Sequence, residues 1–410
     1  MLEKSPSTVN QAALAVIHES LKKHRELLWK VNHKIFSNPE TAYQEFIAHD
    51  TLVAALQSEG LSVTAHAYDI ETAFEVEFGS GGRVLTFNAE YDALPNIGHA
   101  CGHNLIATTS LGAFLAVVDA LKKTGKPGRV RLLGTPAEES TGGKVKLVNA
   151  GAYKDVDMCL MMHPTSSSVY PGNVLGDAYD RTLAISGFRV IFQGKPAHAA
   201  LAPWEGVNAL DAAVAAYNSV AVLRQQVRPD ERIHLIIKEG GLVANVIPEK
   251  SVVELGVRGP TLARARALEE RVLNCFKGAA QATGCDIEIE CLGAYADLQT
   301  NLPICQAFQD AMTSIGHQVQ NNIGRATTPA STDQGNVSYE CPSWQGIFGI
   351  PSPGGAFPHT AAFADGAGTA ASFETSLLSC EGMAIAGYRF LTDDNLAYQV
   401  KKYFDDQRDD

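Results

Sequence analysis

The segment His99-Ala100-Cys101-Gly102-His103-Asn104 places a thiol and an imidazole two residues apart. Thiolate sulfur and imidazole nitrogen are both ligand types that zinc accepts in proteins. The segment follows a predicted strand and precedes an apolar stripe of helical spacing, so it lies at a strand-to-helix junction. Such junctions fix loop geometry well, and the segment therefore predicts a metal site that supports hydrolytic chemistry.

Three later segments carry further ligand types: the pair Glu138-Glu139, then His163, then His359 in a loop rich in Gly and Pro. The Glu pair and His163 each follow a predicted strand. Because ligands collect beyond the carboxyl ends of strands in open α/β sheets, side chains that are distant in the sequence can converge there. Together with Cys101 and His103, these residues supply enough ligands for two divalent ions.

The elements that must position these side chains follow the hydrophobic periodicity of the chain. The predicted helices cover residues 9–36 and 42–60, with a further helix after residue 104. The predicted strands cover residues 72–78, 83–87, 130–134 and 156–162. This pattern favours an α/β catalytic domain, in which an open, twisted and mostly parallel sheet is flanked by helices.

A second pattern begins near residue 182. Alternating Phe188, Val190 and Phe192 predict a strand, and a helix over 207–227, two strands, a second helix and a closing strand follow. The order β-α-β-β-α-β is that of a ferredoxin-like domain. We therefore expect a catalytic domain in two parts, 1–181 and 294–410, with a ferredoxin-like domain, expected to act as a lid, inserted over 182–293.

Composition narrows the function classes. The chain of 410 residues has a net charge of −12 and 45% hydrophobic residues. This charge argues against a nucleic-acid partner, because phosphate binding depends on clustered Lys and Arg. The eight cysteines form no CxxC pair, which argues against a disulfide framework. No apolar run is expected to reach the roughly 18 residues of a membrane span, and no signal peptide is expected, which predicts a cytoplasmic protein without a membrane partner.

Six segments, in order, resemble signatures of the co-catalytic metal aminoacylase and carboxypeptidase family, peptidase family M-twenty. They are NAEYDALP at 88–95, GHACGHN at 98–104, TPAEE at 135–139, GKPAH at 194–198, NVIP at 245–248 and STDQGNV at 331–337. The branch that the chain resembles contains auxin-conjugate hydrolases, p-aminobenzoyl-glutamate hydrolases and β-alanyl-lysine-type dipeptidases. This resemblance implies a metal-dependent amidohydrolase or dipeptidase.

The chain also departs from relatives of the carboxypeptidase type. Those relatives carry a bridging Asp where Cys101 stands, and a His-x-Asp motif where this chain has Glu90-Tyr91-Asp92. Asn104 stands where auxin-conjugate hydrolases carry an Asp. The last difference favours the p-aminobenzoyl-glutamate hydrolases and the β-alanyl dipeptidases as the nearer relatives.

The resemblance implies a metal-ligand set. It consists of Cys101, His103, Glu139, His163 and His359. Two divalent ions would be held, with Zn²⁺ as the expected metal and Mn²⁺ or Co²⁺ as alternatives.

The resemblance also assigns the remaining roles. Glu138 would be the general base that activates the attacking water, and Asp92 would support a metal-bound imidazole. His198 would stabilise the oxyanion, in some relatives from a partner subunit, while Asn245 and Arg258 would hold the carboxylate of the substrate. The expected substrate is a small dipeptide or N-acyl amino acid, and the expected assembly is a homodimer through the inserted domain.

The sequence is also compatible with other interpretations of the function and of individual residues. The fold could bind a small ligand without turnover, or act on or form an amide in a specialised metabolite. Cys101 could be a nucleophile, which would need no metal. Asp92 could form a turn, the Glu pair could lie on the surface, and His198, Asn245 and Arg258 could be ordinary polar residues. A serine mechanism is disfavoured because the sequence contains no Gly-x-Ser-x-Gly motif.

Overall fold

Residues 11–324 and 327–408 are described by a computed structural model, in which the chain divides into two units. The first unit comprises Met1–Arg181, Gln299–Ala326 and Asn336–Asp410. The second comprises Thr182–Leu298 and Thr327–Gly335. The inserted domain expected over 182–293 stays a prediction; the second unit begins at residue 182, continues to Leu298 and takes in a short later segment.

The described residues contain twelve strands and eleven α-helices. The strands are β1 Val63–Ala65, β2 Phe74–Ser80, β3 Val84–Ala89, β4 Gly128–Gly134, β5 Met158–Ser166, β6 Val174–Asp177, β7 Ala184–Gln193, β8 Arg232–Glu239, β9 Lys250–Gly259, β10 Asp286–Tyr295, β11 Gln318–Gln320 and β12 Ser343–Ile350. The helices are α1 Gln11–Phe36, α2 Phe46–Ser58, α3 His103–Thr124, α4 Gly143–Ala150, α5 Ala209–Leu223, α6 Leu262–Thr283, α7 Leu302–Ser314, α8 Gln334–Ser338, α9 Ala361–Ala367, α10 Ala370–Thr392 and α11 Asp394–Arg408.

The first unit is built on an eight-stranded sheet in the order β1-β2-β4-β3-β5-β12-β6-β11. The four central strands, β4, β3, β5 and β12, are all parallel to one another. The pairs β1/β2, β2/β4 and β6/β12 are antiparallel. The prediction of an α/β fold with a mostly parallel sheet is therefore confirmed.

Helix α3 packs against β3, β4 and β5 and against the neighbouring helices α1 and α10. It is the one helix among the described residues that is long and apolar enough to cross a membrane, so the expectation that no run reaches this length was wrong. However, 94% of its apolar window is buried inside the protein. A helix that is apolar on all sides is also what the centre of a large core requires.

The second unit contains a four-stranded antiparallel sheet in the order β10-β7-β9-β8. The chain order β7-α5-β8-β9-α6-β10 is the predicted β-α-β-β-α-β order. Leu268, Val272 and Phe276 of α6 are buried at helical spacing. The ring of Phe276 stacks on Phe192 of β7 with 6.2 Å between ring centroids, so the sheet and its helices share one core.

Strand β12 was not predicted from the sequence. Gly346 and Gly349 interrupt its apolar pattern, and glycine is depleted in strands. The glycines are needed because the strand lies between close neighbours: a Cβ at Gly349 would lie 2.9 Å from the Cα of Ser167. Local propensity therefore did not indicate this strand, whose place is decided by tertiary packing.

Candidate metal centre

The predicted ligands of the first unit gather at the carboxyl ends of its parallel strands. Asp92 follows β3, Glu138 and Glu139 follow β4, and Cys101 precedes α3. His163 was expected to follow its strand, but β5 continues to Ser166 and His163 lies within it. The strands are parallel neighbours, so side chains that are far apart in the sequence meet at one edge of the sheet.

A tight turn brings Cys101 and His103 to the strand that carries His163. Gly102 has a φ of +78°, and a Cβ at this position would lie 2.5 Å from the Cγ of Pro164. Only glycine fits both the conformation and the space. The turn places the Sγ of Cys101 3.3 Å from the Nε2 of His163.

Asp92 orients His103. Nδ1 of His103 donates to Oδ1 of Asp92 at 3.0 Å, and both side chains are buried. Burial lowers the pKa of His103, but Asp92 and Cys101 beside it raise the pKa well above its usual value. Oδ2 of Asp92 accepts the backbone N–H of Glu139 at 2.9 Å. One carboxylate thus fixes an imidazole and the backbone of the predicted ligand Glu139.

Glu138 and Glu139 both approach His103. Oε2 of Glu138 and Oε1 of Glu139 each lie 4.0 Å from its Nε2. Both side chains approach the same atom because residues 138–140 form a turn rather than an extended strand. Ala137 enters this turn with a φ of +61°, a conformation that non-glycine residues seldom adopt.

His359 reaches the same place from the loop before α9. Its Nε2 lies 3.1 Å from Oε1 of Glu139, and its backbone N–H donates to the carbonyl of Ala100 at 2.8 Å. The side chain is 57% exposed, in contrast to the fully buried His103. Contact with the Glu139 carboxylate raises the pKa of His359. This edge of the centre is therefore open to solvent.

The ligand atoms form two groups that share one sulfur. Cys101, His103 and His163 bring their ligand atoms within 4.8 Å of one another, and Cys101, Glu139 and His359 do the same. Nε2 of His103 is buried and has no hydrogen-bond partner among the described residues. A buried nitrogen without a partner costs free energy, which a bound cation would offset. Sulfur, nitrogen and carboxylate oxygen are a ligand set that suits a divalent ion such as zinc.

The predicted residues of the second unit lie on its surface or along β9. His198 is exposed, and its Nδ1 accepts the backbone N–H groups of Ala200 and Leu201 at 3.2 and 3.1 Å. The other ring nitrogen, Nε2, must therefore carry the proton of the neutral ring. Asn245 is also exposed and lies beside His198, because its carbonyl accepts the N–H of Ala199 at 3.0 Å.

Arg258 lies on β9 and is half-buried, and burial lowers its pKa. Its Nη1 donates to Oγ of Ser331 at 2.8 Å. Among the described residues it forms no ion pair with a carboxylate. Its guanidinium therefore keeps the capacity to bind an anion.

Comparison with known proteins identifies the family. The sequence profile of Peptidase family M20/M25/M40 matches residues 86–371. A Xaa-Arg dipeptidase from Mus musculus is 36% identical over 97% of this chain and 94% of its own length. A p-aminobenzoyl-glutamate hydrolase chain from Escherichia coli is 30% identical over 73% of this chain and 65% of its own length.

The chain belongs to this peptidase family. The predicted resemblance is thereby confirmed, and with it the class of metal-dependent hydrolase. Solved structures agree on the fold. An aminohydrolase from methicillin-resistant Staphylococcus aureus superposes with a TM-score of 0.74 at 20% identity, over 92% of this chain and all of the other. A dinuclear metal-binding peptidase from Bacillus subtilis gives a TM-score of 0.64 at 18% identity, over 93% and 99% of the two chains.

Three buried charged residues near the centre were not predicted from the sequence. Glu90 and Lys144 form a fully buried ion pair, and Glu45 accepts the backbone N–H of Ala137 at 2.9 Å. A carboxylate directly after a buried strand, as at Glu90, is a usable sequence signal for a residue of the site. Nothing in the sequence marks Lys144, because its burial results from where α4 packs.

Proposed function

We propose that the protein hydrolyses the amide bond of a small dipeptide or N-acyl amino acid at a centre of two divalent ions. The observation that supports this proposal is the pair of ligand groups that share Cys101, with Glu138 beside them. Zinc is the metal we propose, since thiolate and imidazole favour it over Mn²⁺, and Co²⁺ is the closer substitute.

Each ion has its own ligands in this proposal. Cys101, His103 and His163 would hold one ion, and Cys101, Glu139 and His359 the other. Divalent ions held there supply Lewis acidity, which polarises a carbonyl group and acidifies water. Asp92 keeps Nε2 of His103 directed at the centre by accepting a hydrogen bond from Nδ1–H.

Glu138 acts as the general base and then as the general acid. Its side chain is 9% exposed and stands 4.0 Å from Nε2 of His103, at the edge of the ligand cluster. From this position its carboxylate takes a proton from the attacking water and passes it to the leaving nitrogen. The same position disfavours the alternative of a relative that binds a ligand without turnover.

The second unit supplies substrate contacts. In the neutral ring of His198 the proton lies on Nε2, because Nδ1 accepts backbone N–H groups, so Nε2–H can donate to a developing oxyanion. Arg258, together with Asn245, holds the substrate carboxylate, for which the guanidinium offers a two-pronged contact. We propose a dipeptide with a free C-terminal carboxylate as substrate, by analogy with the Xaa-Arg dipeptidases.

We also propose a homodimer that forms through the second unit. Strand β8 is an edge strand with exposed Ile236 and Ile237. Helix α5 exposes Val214, Tyr217 and Val222. Apolar side chains and unpaired backbone groups at a sheet edge favour pairing with a second chain. A cytoplasmic location accords with eight cysteines that form no disulfide.

Metal content and turnover test the proposal together. Purified protein is assayed for bound metals, and then for hydrolysis of a panel of dipeptides and N-acyl amino acids before and after chelation. We expect about two ions per chain and hydrolysis that is lost on chelation and restored by Zn²⁺. Turnover that persists without metal but is lost in Cys101→Ser would instead identify a thiol mechanism. A metal-loaded protein inert towards the panel would favour the biosynthetic or silent alternative.

A further inference from the structure

Glu90 lies directly after β3 and is fully buried. Its Oε1 is 2.5 Å from Nζ of Lys144, which is also fully buried. Its Oε2 has no hydrogen-bond partner among the described residues and lies 3.5 Å from Nε2 of His103. Nε2 of His103 has no hydrogen-bond partner there either. Two buried polar atoms without partners therefore face each other.

Oε2 of Glu90 and Nε2 of His103 do not form a hydrogen bond with each other. When Nδ1 of His103 donates to Asp92 in the neutral ring, Nε2 presents a lone pair, and Oε2 of Glu90 also presents lone pairs. A protonated ring could donate to Glu90, but the 3.5 Å separation is well beyond the roughly 2.7 to 2.9 Å of a charge-assisted hydrogen bond. A cation between the two atoms would satisfy both.

The separation fits two ligands of one ion. Nitrogen and oxygen ligands lie about 2.0 to 2.2 Å from zinc, so two of them in a tetrahedral site are about 3.4 Å apart. The observed 3.5 Å agrees with this value. The ion pair with Lys144 engages only Oε1 and leaves Oε2 facing His103.

We propose that Glu90 is a further ligand of the ion held by Cys101, His103 and His163, and that Lys144 is a positioning residue that holds the Glu90 carboxylate. This inference rests on the proposed two-metal centre. The two ions then differ: one has four protein ligands, whereas the other has three and keeps an open position. Closed four-ligand sites are typical of tightly held zinc, and open sites of catalytic zinc.

The test measures metal binding rather than activity. Wild type, Glu90→Gln and Lys144→Met are titrated with a chelator, and the ions that remain are counted. The visible spectrum of the Co²⁺-loaded protein reports the coordination number and ligand set. Asp155→Asn is the matched control, since it also breaks an ion pair to a buried cation, Arg131.

In the wild type we expect one ion to be released well before the other. Glu90→Gln is expected to weaken binding of the tightly held ion by at least about 10-fold and to change the Co²⁺ spectrum, because even residues that only orient a ligand contribute about 10- to 100-fold to metal affinity. Lys144→Met is expected to keep two ions and to shift the spectrum, because the carboxylate is no longer held. The control is expected to match the wild type in both measurements.

If Glu90→Gln bound both ions as tightly as the wild type does, with the same Co²⁺ spectrum, the proposal would be wrong. The only role of Glu90 would then be its ion pair with Lys144. The double variant Glu90→Gln/Lys144→Met removes both buried charges at once and provides the same test if either single variant fails to fold. A wild-type protein that binds no divalent ion would instead contradict the proposed function itself.

Discussion

The two units present their predicted functional residues in opposite ways. In the first unit Asp92 and His103 are buried and hydrogen-bonded to each other, with Cys101 and His163 in contact beside them. In the second unit His198 and Asn245 are exposed; the ring of His198 accepts two backbone N–H groups, and Asn245 is held through its backbone carbonyl. In the proposed function, the residues of the first unit bind metal within one chain, whereas those of the second unit contact only the substrate.

We therefore expect that metal binding and turnover can be separated experimentally. Substitutions in the first unit are expected to change metal content or proton transfer, and substitutions in the second unit only turnover.

Glu138→Gln should reduce kcat by about 10²- to 10⁴-fold, because the carboxamide cannot accept the proton from water. The number of bound ions should stay at that of the wild type, since Glu138 is not one of the proposed ligands. Steady-state kinetics with parallel metal analysis checks both points. Glu340→Gln, an exposed carboxylate of the same unit, is the control. A Glu138→Gln protein that keeps its activity would show that Glu138 is not the general base.

His198→Ala should reduce kcat by about 10²- to 10³-fold, the usual effect of removing one donor to an oxyanion. Its metal content should match the wild type, because the ligand groups are complete in the first unit. Kinetics and metal analysis of His33→Ala, another exposed histidine, provide the comparison. Loss of ions in His198→Ala would break the proposed separation of the two units.

Asp92→Asn should weaken metal binding by about 10- to 100-fold, because the amide no longer fixes the tautomer and orientation of His103. Competition with a chromogenic chelator measures this effect. Adding excess Zn²⁺ should restore much of the turnover, as expected for a residue that acts through a ligand. Full activity of Asp92→Asn without added metal would favour the alternative interpretation that Asp92 is a turn residue.

Glu45 offers a smaller test that concerns stability rather than turnover. Burial and the nearby Asp92 raise the pKa of Glu45 from 4.5 to about 7. A folded-state pKa above the unfolded value stabilises the protein fully below pH 4.5, and this contribution is lost as the pH rises through 7. A tenfold change in the acid dissociation constant between the two states corresponds to about 1.4 kcal/mol in the free energy of unfolding.

In chelator-treated protein, Glu45→Gln should therefore gain stability relative to the wild type as the pH is raised from 4.5 to 7. Urea unfolding at several pH values checks this trend. Parallel stability curves for the two proteins would show that Glu45 does not titrate in this range.

Much of the architecture could be predicted because local patterns and tertiary contacts agree there. The strands that end near Asp92 and Glu138 are apolar runs bounded by turn residues, and α6 buries one regular stripe. The ligand types could be recognised for the same reason, since each follows a strand or precedes a helix. The hydrophobic periodicity and the motifs therefore agree on where the elements and the candidate ligands lie.

The remainder depends on contacts between distant parts of the chain. The segment 327–335 belongs to the second unit because Leu183 donates its N–H to the carbonyl of Ala330 at 2.8 Å, a pairing that no local pattern indicates. The turn at Ala137 has a positive φ without the glycine that would have signalled it. The partner of Glu90 is likewise decided by packing alone.

The close fit of Gly102 against Pro164 has a consequence for handling the protein. It holds the turn that carries Cys101 and His103 against the strand that carries His163, so we expect these side chains to keep their arrangement when no metal is bound. The proposed ligands are therefore preorganised before a metal ion binds. A sample stripped of its metals should keep its shape, and it should reload without passing through an unfolded chain.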